Sequence, residues 1–121
     1  MNVEELRDFC LYKKGVTEEF PFDEHTLVFK VMGKMYALIP LERKPPQCNL
    51  KCDPERAIEL REEYDGQITP GYHMSKKHWN TLFLDNLSPD LIRQLVNHSY
   101  DLVVSGLTKK LKEELDALPS Q

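Results

Sequence analysis

The densest run of chemistry-bearing side chains is Tyr72-His73-Met74-Ser75-Lys76-Lys77-His78-Trp79-Asn80, which holds two histidines, two lysines, an indole, an amide and two hydroxyls. His73 and His78 stand five apart, which is not the i, i+4 spacing of a helical zinc pair. No metal is expected there. Ser75 has histidines on both sides but lacks a Gly-x-Ser-x-Gly elbow, so a serine nucleophile is not expected either. Lys76, Lys77 and His78 suit phosphate oxygens, and Asn80 could donate to a phosphate or reach a base edge or sugar. Trp79 could stack on an unpaired base. Its place at the start of an alternating strand favours a core or rim anchor instead. The chain contains no P-loop, no GxGxxG and no pair of acids at an interpretable spacing. Neither an enzyme nor a cofactor is expected. An enzyme acting on a small phosphorylated molecule through Lys76, His78 and His73 is a third-ranked reading, which would need a deep pocket lined by them.

The 121 residues carry 16 Lys+Arg and 20 Asp+Glu, a net charge of −4, with 40% hydrophobic residues. That length suits one domain, 1–121. The apolar content excludes disorder, and the acidic balance excludes a wholly basic polyanion binder. The charge is unevenly spread. Residues 30–52 sum to +4 and residues 66–84 to +2, leaving −10 for the rest. Such asymmetry can serve phosphate binding, although exposed loops also carry Lys and Arg for solubility alone.

The N-terminus lacks the basic region and apolar core of a signal peptide, and no apolar run reaches membrane-spanning length. A cytoplasmic protein is expected. Three cysteines, Cys10, Cys48 and Cys52, do not make a disulfide framework. On a strand, Cys48 and Cys52 would lie about 13 Å apart and share a face with Leu50, too far for a bridge. They are read as buried thiols.

The positioning elements follow from periodicity. Asn2 to Lys13 reads as a helix, with Val3, Leu6, Phe9 and Cys10 on one face and an Asn2/Glu5 cap. Glu18 to Asp23 reads as an acidic-aromatic connector. Thr26–Met32 and Lys34–Leu41 read as strands joined at Gly33, where a hairpin needs positive φ. Glu42 to Pro46 is a stiff charged loop, and Gln47–Cys52 alternates as a third strand. Asp53-Pro54-Glu55 and Ser88-Pro89-Asp90 both read as an N-cap followed by Pro at the first helical position. Thr69-Pro70-Gly71 reads as a turn, and Trp79 to Asp85 as a strand. The helix from Ser88 buries Leu91, Ile92, Leu95, Val96, Ser99, Leu102 and Val103, with the Ser99 hydroxyl expected to bond back along the helix. Thr108 would cap a last helix with Leu111, Leu115 and Leu118 as its stripe. The expected fold is α+β: a two-layer α/β sandwich with helices packed on an antiparallel sheet, in the order α-β-β-β-α-β-α-α.

The run His73 to Asp85, followed by Leu91 to Val103, resembles the bacterial MmcQ/YjbR family. Its Lys-x-His-Trp segment and Ser-Tyr pair are the most specific parts. The N-terminal helix, the hairpin around Gly33 and the Leu50 to Glu55 junction are also similar. The resemblance implies a fold akin to secretion-chaperone-like and CyaY-like domains. It also implies DNA binding by a double wing, with β-hairpins as wings. On this chain the wings would be the Met32-Gly33-Lys34 tip, the Arg43-Lys44 loop and the Lys76-Lys77-His78 loop.

Two function classes follow. The first is a DNA-binding module in which Lys34, Arg43, Lys44, Lys76, Lys77 and His78 neutralise phosphates and Asn80 reaches a base or sugar. The second is a protein-interaction or adaptor domain that uses Phe20-Pro21-Phe22 or the Leu111/Leu115/Leu118 stripe, with a monomer favoured. Burial of those side chains within one protomer would count against the second.

Overall fold

A computed structural model describes residues 1–119. Helix α1 (Val3–Tyr12) starts at the expected capping box, in which the Asn2 side chain accepts from the Glu5 amide and the Glu5 carboxylate accepts from the Asn2 amide. Strands β1 (Val16–Glu19), β2 (Thr26–Val31), β3 (Lys34–Pro40) and β4 (Gln47–Lys51) follow, then α2 (Pro54–Glu63), β5 (Ile68–Pro70) and β6 (Trp79–Phe83). A 3₁₀ turn over Leu84–Asn86 leads into α3 (Pro89–Ser105) and α4 (Lys109–Ala117). Asp53, Ser88 and Thr108 all act as N-caps through their side chains.

The antiparallel sheet with helices on it is as expected, but it has six strands in the order β1-β2-β3-β4-β6-β5. The two additional strands are its edges. β1 occupies residues just before and within the expected acidic connector, and β5 replaces the expected Thr69-Pro70-Gly71 turn. Both are short, and Pro70 is tolerated because an edge strand has a free side where no amide donor is required. The β2–β3 hairpin turns at Met32 (φ 49°) and Gly33 (φ 84°), two consecutive positive-φ residues, as a two-residue type I′ loop demands.

The sheet's two faces differ. Leu27, Phe29, Ile39, Cys48, Leu50, Leu82 and Ile68 point to one side, where they meet Leu6 and Cys10 of α1, Ala57 of α2 and Ile92, Leu95 and Val96 of α3. All three cysteines lie free in this layer. Burial pushes the Cys10 thiol up to about 12, and the Cys48 thiol also up. The other face carries no helix. Its apolar part is a small cluster of Val28, Leu38 and Trp79 covered by Met35 and Met74. Trp79 is therefore an anchor, 8% exposed, and is not available for stacking.

A register shift between Phe29 and Lys30 makes Tyr36 the extra residue of a bulge in β3. Its ring then joins the helical side beside Ala37, as bulges re-aim side chains. Among the described residues, no helix is long and apolar enough to cross a membrane.

Candidate functional site

Strand register decides which expected site residues can act together. β3 and β4 pair Ala37 with Leu50, and β4 and β6 pair Lys51 with Trp79. The Met32-Gly33 tip, the end of β4 and the start of β6 therefore lie at one end of the sheet. Lys34, Lys51, Lys76, Lys77 and His78 belong to this end. Arg43 and Lys44 sit in the loop entering β4 at Gln47, the opposite end, at least the ~13 Å length of a five-residue strand away. The three expected wings thus do not form one surface.

The loop that carries Lys76–His78 is held from beneath. Arg61 of α2 donates from Nε to the Asn80 Oδ1 at 2.7 Å, and from its terminal nitrogen to the carbonyls of Lys76 and Trp79. The Cys52 amide donates to the His78 carbonyl at 2.8 Å. Lys76, Lys77 and His78 remain exposed. Asn80 departs from expectation: it is 1% exposed, and besides accepting from Arg61 it donates to the Ala57 carbonyl at 3.4 Å. Its amide anchors the loop from inside and is out of reach of a base or sugar.

The first half of the same loop crosses the helix-free face. Positive φ at His73 (57°) turns the chain back over the sheet, and the Tyr72 amide donates to the Thr81 Oγ1 at 3.1 Å. Tyr72 thereby meets Arg43, whose guanidinium lies 3.6 Å from the ring centroid. Between this stack and Phe22 and Asp23 opens a cleft of about 350 Å³, with Gln47 and Asn49 of β4 among its lining residues. Backbone amides of His25 and then Thr26 hold the Asp23 carboxyl below its usual range, so it is ionised at neutral pH. Of the three residues that would signal a phosphate-processing enzyme, only His73 reaches the cleft; Lys76 and His78 do not. Among the described residues, no cluster of three or more His, Cys, Asp or Glu side chains could hold a metal.

The Ser-Tyr pair has a structural task. Asn97 accepts from Lys13 Nζ, His98 Nε2 accepts from the Asp53 amide at 3.1 Å, and the Tyr100 hydroxyl donates to the Lys14 carbonyl. The Ser99 hydroxyl does not bond back along its helix as expected. It accepts from the Lys51 amide at 2.9 Å and donates to the Tyr36 carbonyl at 2.5 Å. Four consecutive residues of α3 thus fasten the end of α1, the Tyr36 bulge of β3, the end of β4 and the start of α2.

A model of the YjbR family matches residues 11–102. The chain belongs to the YjbR family. YjbR of Escherichia coli K12 is 31% identical over 116 residues, covering 95% of this chain and 98% of that protein. YbdF of Escherichia coli O157:H7 is 41% identical over 92 residues, 75% of each chain. The crystal structure of a Deinococcus radiodurans protein with a DUF419 domain superposes with a TM-score of 0.88 at 44% identity, covering 99% of this chain and 91% of that one. A Pseudomonas syringae protein follows at 0.71 and 29%, covering 84% and 98%. The YjbR match spans both the basic loop and the framework that Asn97–Tyr100 fasten.

His98 gives that framework a pH dependence. Burial, and then the Arg56 charge, hold its imidazole below the usual 6.5, in keeping with the neutral ring that accepts from Asp53. As pH falls through 6.5 the unfolded chain takes up this proton first, so stability present above 6.5 is lost below it. Urea unfolding between pH 7.5 and 5 should show that loss, and His98→Gln should flatten it. An unchanged pH slope in the variant would remove the assignment.

Proposed function

We propose that this YjbR protein binds DNA phosphates through the basic end of its sheet. The supporting observation is that Lys34, Lys51, Lys76, Lys77 and His78, drawn from three segments distant in sequence, share that end, and none forms an ion pair among the described residues. Lys30 is excluded, because Glu19 neutralises it. Arg61 clamps the Lys76–Lys77 loop from inside, so little ordering entropy opposes a contact. The mode is electrostatic positioning with little base readout. α3 carries Arg93 as its only lysine or arginine, and it pairs with Asp90.

A net charge of −4 makes this binding weak and salt-sensitive. Four or five phosphate contacts give a slope of log affinity on log salt of about −4. In a salt-titrated assay on duplex DNA, Lys76→Glu with Lys77→Glu should cut the low-salt affinity by at least ~10-fold and reduce the slope by about 2. Arg43→Ala should leave both unchanged. Absence of binding at low salt, or indifference to the Lys76/Lys77 pair, overturns the reading.

The adaptor alternative keeps one specific observation, the exposure of Phe20 (49%) and Phe22 (64%). The leucine stripe supports it less. Leu115 is buried and Leu111 half-buried, with only Leu118 exposed.

A further inference from the structure

The helix-free face holds a constellation that phosphate binding at the far end of the sheet does not use. Its floor is polar by construction. On β4, Cys48 and Leu50 face the helices, so Gln47 and Asn49 face the other way, yet they are only 7% and 8% exposed. Thr81 accepts from the Tyr72 amide and donates to the Asn49 Oδ1 at 2.6 Å, which leaves the Asn49 amino group as a donor. Gln47 must donate to the Pro45 carbonyl at 3.1 Å, which leaves its oxygen as an acceptor. A donor and an acceptor therefore stand two residues apart on one strand face at the base of the cleft.

The walls and rim are aromatic and charged. Phe22 and Tyr72 are among the most exposed large apolar residues of the chain, and both line the mouth. The Arg43 guanidinium packs 3.6 Å from the Tyr72 ring centroid, and its N–H groups suit a bidentate oxyanion. Asp23 adds one negative charge to the facing wall. That charge favours a ligand with one phosphate over one with three, and its oxygen can accept from a hydroxyl or an amino group. The chain reverses directly after Tyr72 through a positive φ at His73, which costs free energy in a non-glycine residue.

We propose that this cleft binds a single nucleotide, its base stacked on the exposed Phe22 ring with its polar edge on Asn49 and Gln47, and its phosphate on Arg43, which Tyr72, packed between Arg43 and His73, holds in place. Flat rings with a donor and acceptor edge are what paired amides read, and aromatic faces hold them by stacking. The volume of about 350 Å³ lies within the range of small-ligand sites. The nucleotide can be a free mononucleotide or one unstacked unit of a single strand.

The test is calorimetric titration of the full chain with the four ribonucleoside 5′-monophosphates, the matching nucleosides, inorganic phosphate and a single-stranded tetradeoxynucleotide. At least one mononucleotide or the tetranucleotide should bind one-to-one with a dissociation constant below about 1 mM. Inorganic phosphate alone should give no heat, and nucleosides should bind about 10-fold more weakly than their monophosphates. Tyr72→Ala and Arg43→Ala, both at exposed positions and checked for folding by circular dichroism, should each weaken binding about 10-fold. Mononucleotide binding assigns the free source, and binding of the tetranucleotide alone assigns the strand. No saturable binding by any probe, or binding that survives both rim substitutions, overturns the proposal. The Lys76→Glu/Lys77→Glu variant should bind mononucleotides as the parent does, so failure of the duplex-DNA reading and failure of the cleft remain distinguishable.

Discussion

Replacing Ser99 by Ala should destabilise the protein by about 3 kcal/mol, a large share of the ~5–15 kcal/mol that holds a domain of this size together. The side chain is wholly buried, and its hydroxyl serves two backbone groups at once. Register explains why it is needed. β3 and β4 pair through Leu38–Asn49 and Ala37–Leu50 and then stop, because the bulge at Tyr36 breaks the ladder. The next opposed groups, the Tyr36 carbonyl and the Lys51 amide, are joined through the inserted hydroxyl of Ser99. Alanine would leave both without a partner, each at a cost of about 1–3 kcal/mol. Urea unfolding should show a midpoint lower by more than about 1 M with an unchanged slope. Ser105→Ala is the control, since that exposed hydroxyl bonds only to the Leu102 carbonyl of its own helix; it should shift stability by less than about 0.5 kcal/mol. Equal effects of the two substitutions would refute the splice.

Ser99 also marks a limit of reading the chain locally. Its place on the apolar stripe of a helix was visible, but its partners on β3 and β4 stand 63 and 48 residues away. Elements with chemical punctuation were legible: the Asn2/Glu5 box, the Asp53-Pro54 and Ser88-Pro89 starts and the Gly33 hairpin all formed where residue chemistry placed them. The edge strands were not legible. β1 and β5 are four and three residues long, half exposed, and are strands only because β2 and β6 offer them a ladder.

The site divides in the same way. The lysines of the Lys76–His78 loop are exposed as their charge suggests, while Asn80, two residues past His78, is drawn inside by Arg61, 19 positions earlier. The cleft escaped sequence reasoning because Arg43 and Tyr72 meet only when a positive-φ turn folds one loop across a bare sheet face. One signal was available. In β4, Gln47 and Asn49 alternate with Cys48 and Leu50, and a polar stripe on a central strand implies a face that no helix covers.

The second large effect falls on Tyr36. This residue is fully buried, and its hydroxyl donates to the Cys10 carbonyl at 2.6 Å. That carbonyl belongs to the last turn of α1, where helical geometry leaves it without an amide partner. The Tyr100 hydroxyl serves the Lys14 carbonyl just beyond, and the two rings meet edge to face at 5.5 Å. Two tyrosines, one from the sheet and one from α3, thus close the end of α1 in place of a local cap. Burial pushes the Tyr36 phenol far up, so it remains a donor throughout the working pH range. Tyr36→Ala would remove a fully buried ring and should cost about 4 kcal/mol, the range seen for large-to-small changes at core aromatics. Tyr36→Phe keeps the ring and removes the donor, leaving the Cys10 carbonyl unpaired, and should cost about 1–2 kcal/mol. The signature is local as well as global. In Tyr36→Phe, hydrogen exchange should quicken at the C-terminal amides of α1 while those of α3 keep their protection. Unchanged exchange at the α1 amides in Tyr36→Phe would mean that the ring packing, and not the hydroxyl, holds α1 to the sheet.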